Sequence, residues 1–253
     1  MSINNKQLLT ELDNLLKPDK VKDYCPNGLQ VEGKLQISKL VTGVTASQAL
    51  IDKAIECQAD AIFVHHGYFW KGEDERITGM KKRRIQALLN HDINLYAYHL
   101  PLDIHPELGN NARLANILGL KVSGGLEINN PQSVAMQGYF ESSISVKELE
   151  QRIATKLKRQ PLVEKCGEDS IKTVAWCTGG GQGYIDLAAS QGIDAFITGE
   201  ASEQTIHTAR EMGIHFFAAG HHASERYGAK AVGEYLAENF GLDVTFIDID
   251  NPV

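Results

Sequence analysis

Leucines at positions 8, 9, 12, 15 and 16 recur at three- and four-residue spacing and predict an amphipathic helix near the start of the chain. A turn-forming Pro26-Asn27-Gly28 follows, and the pattern then changes. Apolar runs at 40–44, 60–64 and 93–98 read as strands, and helical periodicity at 48–57, 80–90 and 110–118 separates or follows them. Strand-like runs return at 171–177, 194–198 and 215–218. Strands alternating with helices predict an α/β protein with a parallel, helix-covered sheet.

The second set echoes the first. DKAIECQADAIFV from Asp52 overlays DLAASQGIDAFIT from Asp186 without a gap, setting Asp60-Ala61 on Asp194-Ala195. INLYAYHLPLD (93–103) overlays HFFAAGHHASE (215–225), setting His99 on His221 and Asp103 on Glu225. The collinear matches predict an internal duplication. Two related α/β halves, 1–122 and 123–253, would carry a pseudo-repeat of 40–120 on 174–242, with about fifty residues from Lys121 to Lys172 joining them.

Candidate chemistry gathers where parallel strands end, the usual ligand-binding edge of open α/β sheets. One strand runs into His65-His66-Gly67 and another into His99-Leu-Pro-Leu-Asp103. A third runs into Gly199-Glu200, and a fourth into Gly220-His221-His222-Ala-Ser-Glu225. The repeat predicts that the two sets face each other across a cleft between the halves. Imidazole and carboxylate donors without thiolates suit Zn, Mn, Fe or Co better than Mg or Ca. His221 and Glu225, four residues apart, share one face of a helical turn, and the carboxylate is expected to bridge two ions. His99 and His222 are open to two roles, supporting a ligand or moving protons. His91, His105, His207 and His215 read as ordinary structural or surface histidines.

Composition narrows the class. The four cysteines are far apart and form no Cys-x-x-Cys pair, which speaks against a thiolate zinc site or a disulfide scaffold. A net charge of −7 makes nucleic acid an unexpected partner. The first twenty residues hold no apolar run of signal length, and nothing approaches the roughly 20 apolar residues of a membrane helix. The expectation is a soluble cytoplasmic protein. Gly179-Gly180-Gly181-Gln182-Gly183 could receive a phosphate or simply make a tight turn, and Lys81-Lys82-Arg83-Arg84 could grip phosphate or form a solvated helix face. Phe69-Trp70 could stack on a base, line a subunit contact or pack in the core.

VHHG (64–67), YHLPLDIHPELGNN (98–111), TGE (198–200) and GHHASER (220–226), with the Pro26-Asn27-Gly28-Leu29 loop, resemble the Ngg-interacting-factor-three-like family over essentially the whole chain. Its members are commonly named GTP cyclohydrolase 1 type 2 homologs. Residue by residue, the resemblance implies metal ligands at His65, His66, Asp103, His221 and Glu225. It also implies a two-domain protomer with a dinuclear site, assembled as a toroidal homohexamer. The mid-chain domain of longer members has no counterpart here. The expected function is a dinuclear metal-dependent hydrolase acting on a nucleotide-like substrate, with a GTP cyclohydrolase type 2-like reaction as the specific expectation. The alternatives are a metal-binding regulatory or adaptor protein in a ring assembly, and a phosphoesterase or amidohydrolase using the same ions.

Overall fold

The computed structural model describes all 253 residues. The alternating pattern becomes two separate sheets of five and six strands, each covered by helices. The contacts divide the chain into one unit of residues 1–102 and 228–250 and a second of residues 103–227 and 251–253.

In the first unit, Lys39–Thr45, Ala61–His66 and Asn94–Ala97 run parallel, with Leu40 opposite Ala61 and Ala61 opposite Asn94. Lys39–Thr45 and Ala61–His66 are nearly continuous buried runs, as strands covered on both faces must be. Helices Gln48–Glu56 and Gly79–Asn90 place Leu50, Ile51, Ala54, Ile85 and Leu88 in one core with Val41, Ile62, Val64 and Leu95. Helix Asn5–Leu16 buries Leu8, Leu12 and Leu16, and Tyr96 donates its hydroxyl to the Asn5 carbonyl at 2.8 Å. Asp243–Phe246 returns from the end of the chain to pair parallel with Lys39–Thr45, while Gly28–Val31 pairs antiparallel with Asn94–Ala97.

The second unit repeats the parallel core. Ile171–Cys177, Ala195–Thr198 and His215–Ala218 pair with Val174 opposite Ala195 and Ala195 opposite His215. Met136–Ile144 joins antiparallel on one side, followed by Lys121–Gly125, and Leu162–Glu164 joins antiparallel on the other. Residues 121–172 are therefore a working part of this sheet. They also supply helix Val146–Leu157, capped by Ser145 and burying Val146, Leu149, Ile153 and Leu157. Both sheets are thus mixed where alternation predicted a parallel one. The antiparallel strands lie outside the strand–helix rhythm on which that expectation rested.

The two parallel cores share one local device. Asp60 accepts from the backbone N–H groups of Ser38 and Lys39 at 2.9 and 3.0 Å. Asp194 accepts from those of Lys172 and Thr173 at 2.9 and 2.7 Å. Each carboxylate thus ties the first parallel strand to the start of the second, which accounts for the Asp60–Asp194 match. Farther along, the pairing sets Asn94, not Ile93, at the place of His215. Tyr98 N–H donates to Val64 as Ala219 N–H donates to Thr198, so His99 corresponds to Gly220. The overlay of 52–64 on 186–198 thus agrees with the strand pairing, whereas that of 93–103 on 215–225 is offset from it by one residue. His99 lies two residues beyond strand Asn94–Ala97 and just ahead of helix Leu100–Ile104, whereas His221 opens helix His221–Phe240. No helix is long and apolar enough to cross a membrane.

Candidate metal-binding groups

Strand Ala61–His66 delivers two adjacent histidines at its carboxyl end. Neighbours on a regular strand point to opposite faces. Here, at the last two positions of the strand, with His66 still paired opposite Thr45, the His65 and His66 rings nevertheless meet with centroids 4.5 Å apart, His99 standing 5.0 Å from His65. One ligand atom from each of His65, His66 and His99 lies within 4.8 Å of the others. His65 is fully buried, and its Nδ1 is 3.1 Å from the Tyr98 carbonyl. A carbonyl only accepts, so Nδ1 carries the proton and the lone pair of the neutral ring sits on Nε2. His66 Nδ1 contacts the Thr45 hydroxyl at 3.1 Å.

His99 is held differently. Its Nδ1 donates to Asp23 at 2.9 Å, and its backbone N–H donates to the Asn27 side chain at 2.7 Å. Asp23 also accepts from Asn27 at 3.0 Å and from the Leu100 N–H at 2.9 Å. Burial opposes ionisation of Asp23, whose side chain is 3% exposed, but the hydrogen bonds from His99 and Asn27 prevail and hold its pKa at about 2. The Pro-Asn-Gly loop is thus a brace for His99.

In the second unit, His221 and Glu225 stack one turn apart at the start of helix His221–Phe240, Nε2 to Oε2 at 3.2 Å. His221 Nδ1 meets Glu200 at 2.6 Å, which again assigns the lone pair of a neutral ring to Nε2. Burial works against a charged His221, but Glu225 and Glu200 outweigh it and raise its pKa to about 9. A cation binding there displaces that proton. Asp103, 4% exposed, accepts from Asn110 at 2.9 Å and from the Thr178 hydroxyl at 3.3 Å. Gly179 adopts φ +67°, and a Cβ there would collide with the Glu225 carboxylate and come within 3.1 Å of His221 Nε2. The glycine-rich turn thereby makes room for this pair. Its Gly179 and Gly181 N–H groups are donated to Ser224 and Thr198, which favours the tight-turn reading over phosphate binding.

Imidazole nitrogens oriented by fixed acceptors, beside buried carboxylates, fit a borderline divalent ion. Placement thus groups His65, His66 and His99 in one unit and His221, Glu225 and Glu200 in the other, with Asp103 set by Asn110 and Thr178. His222 follows His221 but lies about 100° round the helix from it, half-buried, with its backbone N–H donated to Val253. His215 keeps its ordinary reading. Its ring accepts from the Cys166 N–H at 3.0 Å and reaches the Glu168 carbonyl at 2.7 Å. Sequence reasoning missed Asp23 as the partner of His99 and Glu200 as the partner of His221; only the strand-end position of Glu200 hinted at either.

The family model described as Duf34/NIF3 (NGG1p interacting factor 3) matches residues 3–252. A Vibrio cholerae protein named GTP cyclohydrolase 1 type 2 homolog is 63% identical, covering 99% of this chain and 100% of that one. An Escherichia coli protein of the same name is 55% identical, again over 99% and 100%. Among solved structures, one titled protein ybgI, unknown function, superposes with a TM-score of 0.96 at 55% identity over 99% of this chain and 100% of its own. The Thermus thermophilus protein TTHA1606 superposes at 0.88 with 35% identity, covering 99% and 100%. On this full-length similarity, the chain belongs to the Duf34/NIF3 (NGG1p interacting factor 3) family.

Proposed function

We propose that this chain is a dinuclear metal-dependent hydrolase acting on a nucleotide-like substrate. In this reading His65, His66, Asp103, His221 and Glu225 hold two divalent ions from among Zn, Mn, Fe and Co. The observation that carries the proposal is the orientation of the rings. His65 and His221 each commit Nδ1 to a fixed acceptor, 3.1 Å from the Tyr98 carbonyl and 2.6 Å from Glu200, which directs Nε2 to ligation. When bound, such ions supply Lewis acidity and bring the ionisation of water toward neutral pH.

His99 is assigned the proton transfer. The ionised Asp23 fixes its Nδ1–H and stabilises the imidazolium formed when Nε2 takes a proton. His222 is the second candidate for that role. The name carried by the Vibrio cholerae and Escherichia coli relatives points to GTP as the specific substrate, with water attacking the purine carbon between two ring nitrogens. The test offers GTP and a nucleotide panel to protein loaded with Mn or Zn and identifies products by absorbance and mass. A ring-opened product that disappears in His65→Ala and Asp103→Asn is expected. A fully metallated protein inert toward the whole panel would give way to the adaptor reading.

A further inference from the structure

Two aromatic side chains in the first unit are not spent on its core. Tyr24 is 52% exposed and Trp70 is half-buried. Both lie against His99: the Tyr24 ring is 5.0 Å away at 72°, and the Trp70 ring 4.9 Å away at 85°. Trp70 also stands 6.0 Å from His66. The two aromatics sit 5.8 Å from each other at 39°. That separation is too small for a ring between them, which needs about 7 Å, two stacking distances of roughly 3.5 Å. Together they form an angled surface whose exposed side can take one planar ring.

The surface is built in advance. Lys71 N–H donates to the Tyr24 carbonyl at 2.7 Å, joining the two loops directly. Gln30 links the same loops a second time, donating to Pro26 and Tyr68 and accepting from the Tyr68 N–H at 2.7 Å. Glu73 accepts from the Trp70 N–H at 3.1 Å. Phe69 takes the left-handed backbone region at φ +67°, uncommon for a bulky residue. The chain reverses there, leaving Phe69 outward with Lys81 5.0 Å from its ring and turning Trp70 back toward the histidines. Strain of this kind persists where the surroundings hold it, often beside a ligand site.

We propose that Tyr24 and Trp70 form a stacking platform for the heteroaromatic base of the substrate, placing a ring edge beside His99 and His66. This rests on the nucleotide reading for the identity of the ligand and deepens it by naming the residues that receive the base. Stacking on an aromatic side chain contributes about 1–3 kcal/mol per base, a five- to 150-fold change in affinity. Purines, with the larger face, bind this surface more tightly than pyrimidines, and a sugar phosphate alone makes no use of it.

The chain has two tryptophans, and Trp176 is fully buried in the second unit. Trp70 emission therefore reports the platform. Guanosine, uridine and ribose 5-phosphate are titrated into the metal-loaded full-length protein, its Tyr24→Leu and Tyr24→Phe variants, and Trp70→Phe. Guanosine is expected to quench emission saturably, more tightly than uridine, with ribose 5-phosphate silent. Tyr24→Leu should weaken binding about tenfold, Tyr24→Phe should restore it, and Trp70→Phe should abolish the signal. No quenching by guanosine at millimolar concentration, or equal affinity in Tyr24→Leu and wild type, would overturn the proposal. Quenching that is sensitive to Tyr24 without any turnover would keep the platform and reject the hydrolase. Turnover with unchanged KM in Tyr24→Leu would do the reverse.

Discussion

Asp23 and Glu200 each determine which nitrogen of a neighbouring imidazole carries the proton, and that choice decides what the opposite nitrogen can do. Glu200 lies 2.6 Å from His221 Nδ1. Carboxylates in this position raise the basicity of the ring and fix its direction, and their loss typically costs about 10–100-fold in metal affinity. Glu200→Gln should therefore weaken metal binding by that factor in a chelator competition, and a change below twofold would remove Glu200 from the site. Asp23 makes a different prediction. Its folded pKa of about 2 lies below the ordinary 3.8, so the ionised carboxylate stabilises the fold. That contribution is complete above the unfolded pKa and is lost as pH falls through about 2. Asp23→Asn should be less stable than wild type by about 2 kcal/mol at pH 7, the gap narrowing below about pH 4. Urea midpoints for both proteins at pH 7, 5, 4 and 3 check this, and a gap that widens toward acid would contradict it. Residue type and strand-end position made the ligand candidates legible. Their partners were not, because Asp23 and His99 are 76 residues apart, and nothing local in the sequence links them.

At the scale of elements, the parallel cores were the most legible part. Helix Asn110–Leu118 and strands Ile171–Cys177 and His215–Ala218 fall where the pattern placed them, since buried strands and amphipathic helices carry strong periodicity. Strands Ile3–Asn4 and Gln36–Ile37, two residues each, carry no period and exist through their pairing. Helix Val146–Leu157 did carry a signal, with Ser145 and Glu148 at capping spacing and apolar positions at 146, 149, 153 and 157. The strands beside it, Lys121–Gly125, Met136–Ile144 and Leu162–Glu164, pair antiparallel and so fall outside the strand–helix alternation that marks the parallel cores. The shared aspartates make a prediction about stability. Asp194 accepts from two backbone N–H groups and from the Thr173 hydroxyl at 2.9 Å. Asp194→Ala leaves those donors without their acceptor and should cost about 2–3 kcal/mol in denaturant unfolding. A loss below about 0.5 kcal/mol, ordinary for a surface change, would show that the carboxylate is dispensable.

In the whole molecule, folding is expected to be separable from metal binding. The proposed ligands stand on a strand and on helices of units with their own apolar cores, so metal should add a binding contribution to stability without being required for structure. His65→Ala is expected to remain folded by circular dichroism while binding metal poorly, and an unfolded variant would contradict this. The proposed homohexamer, motivated by the family likeness, predicts a light-scattering mass near six times 27.8 kDa, and a monomer at micromolar concentration would reject it. Elemental analysis of the metal-loaded protein beside its Glu225→Gln variant tests the proposed dinuclear site. Glu225, 3% exposed and 3.2 Å from His221 Nε2, is the expected bridge. The predicted result is about two transition-metal equivalents per wild-type chain and loss of at least one in Glu225→Gln. Retention of both ions at wild-type affinity in the variant would remove Glu225 as a bridge, and no metal on the wild type would rule out the dinuclear site.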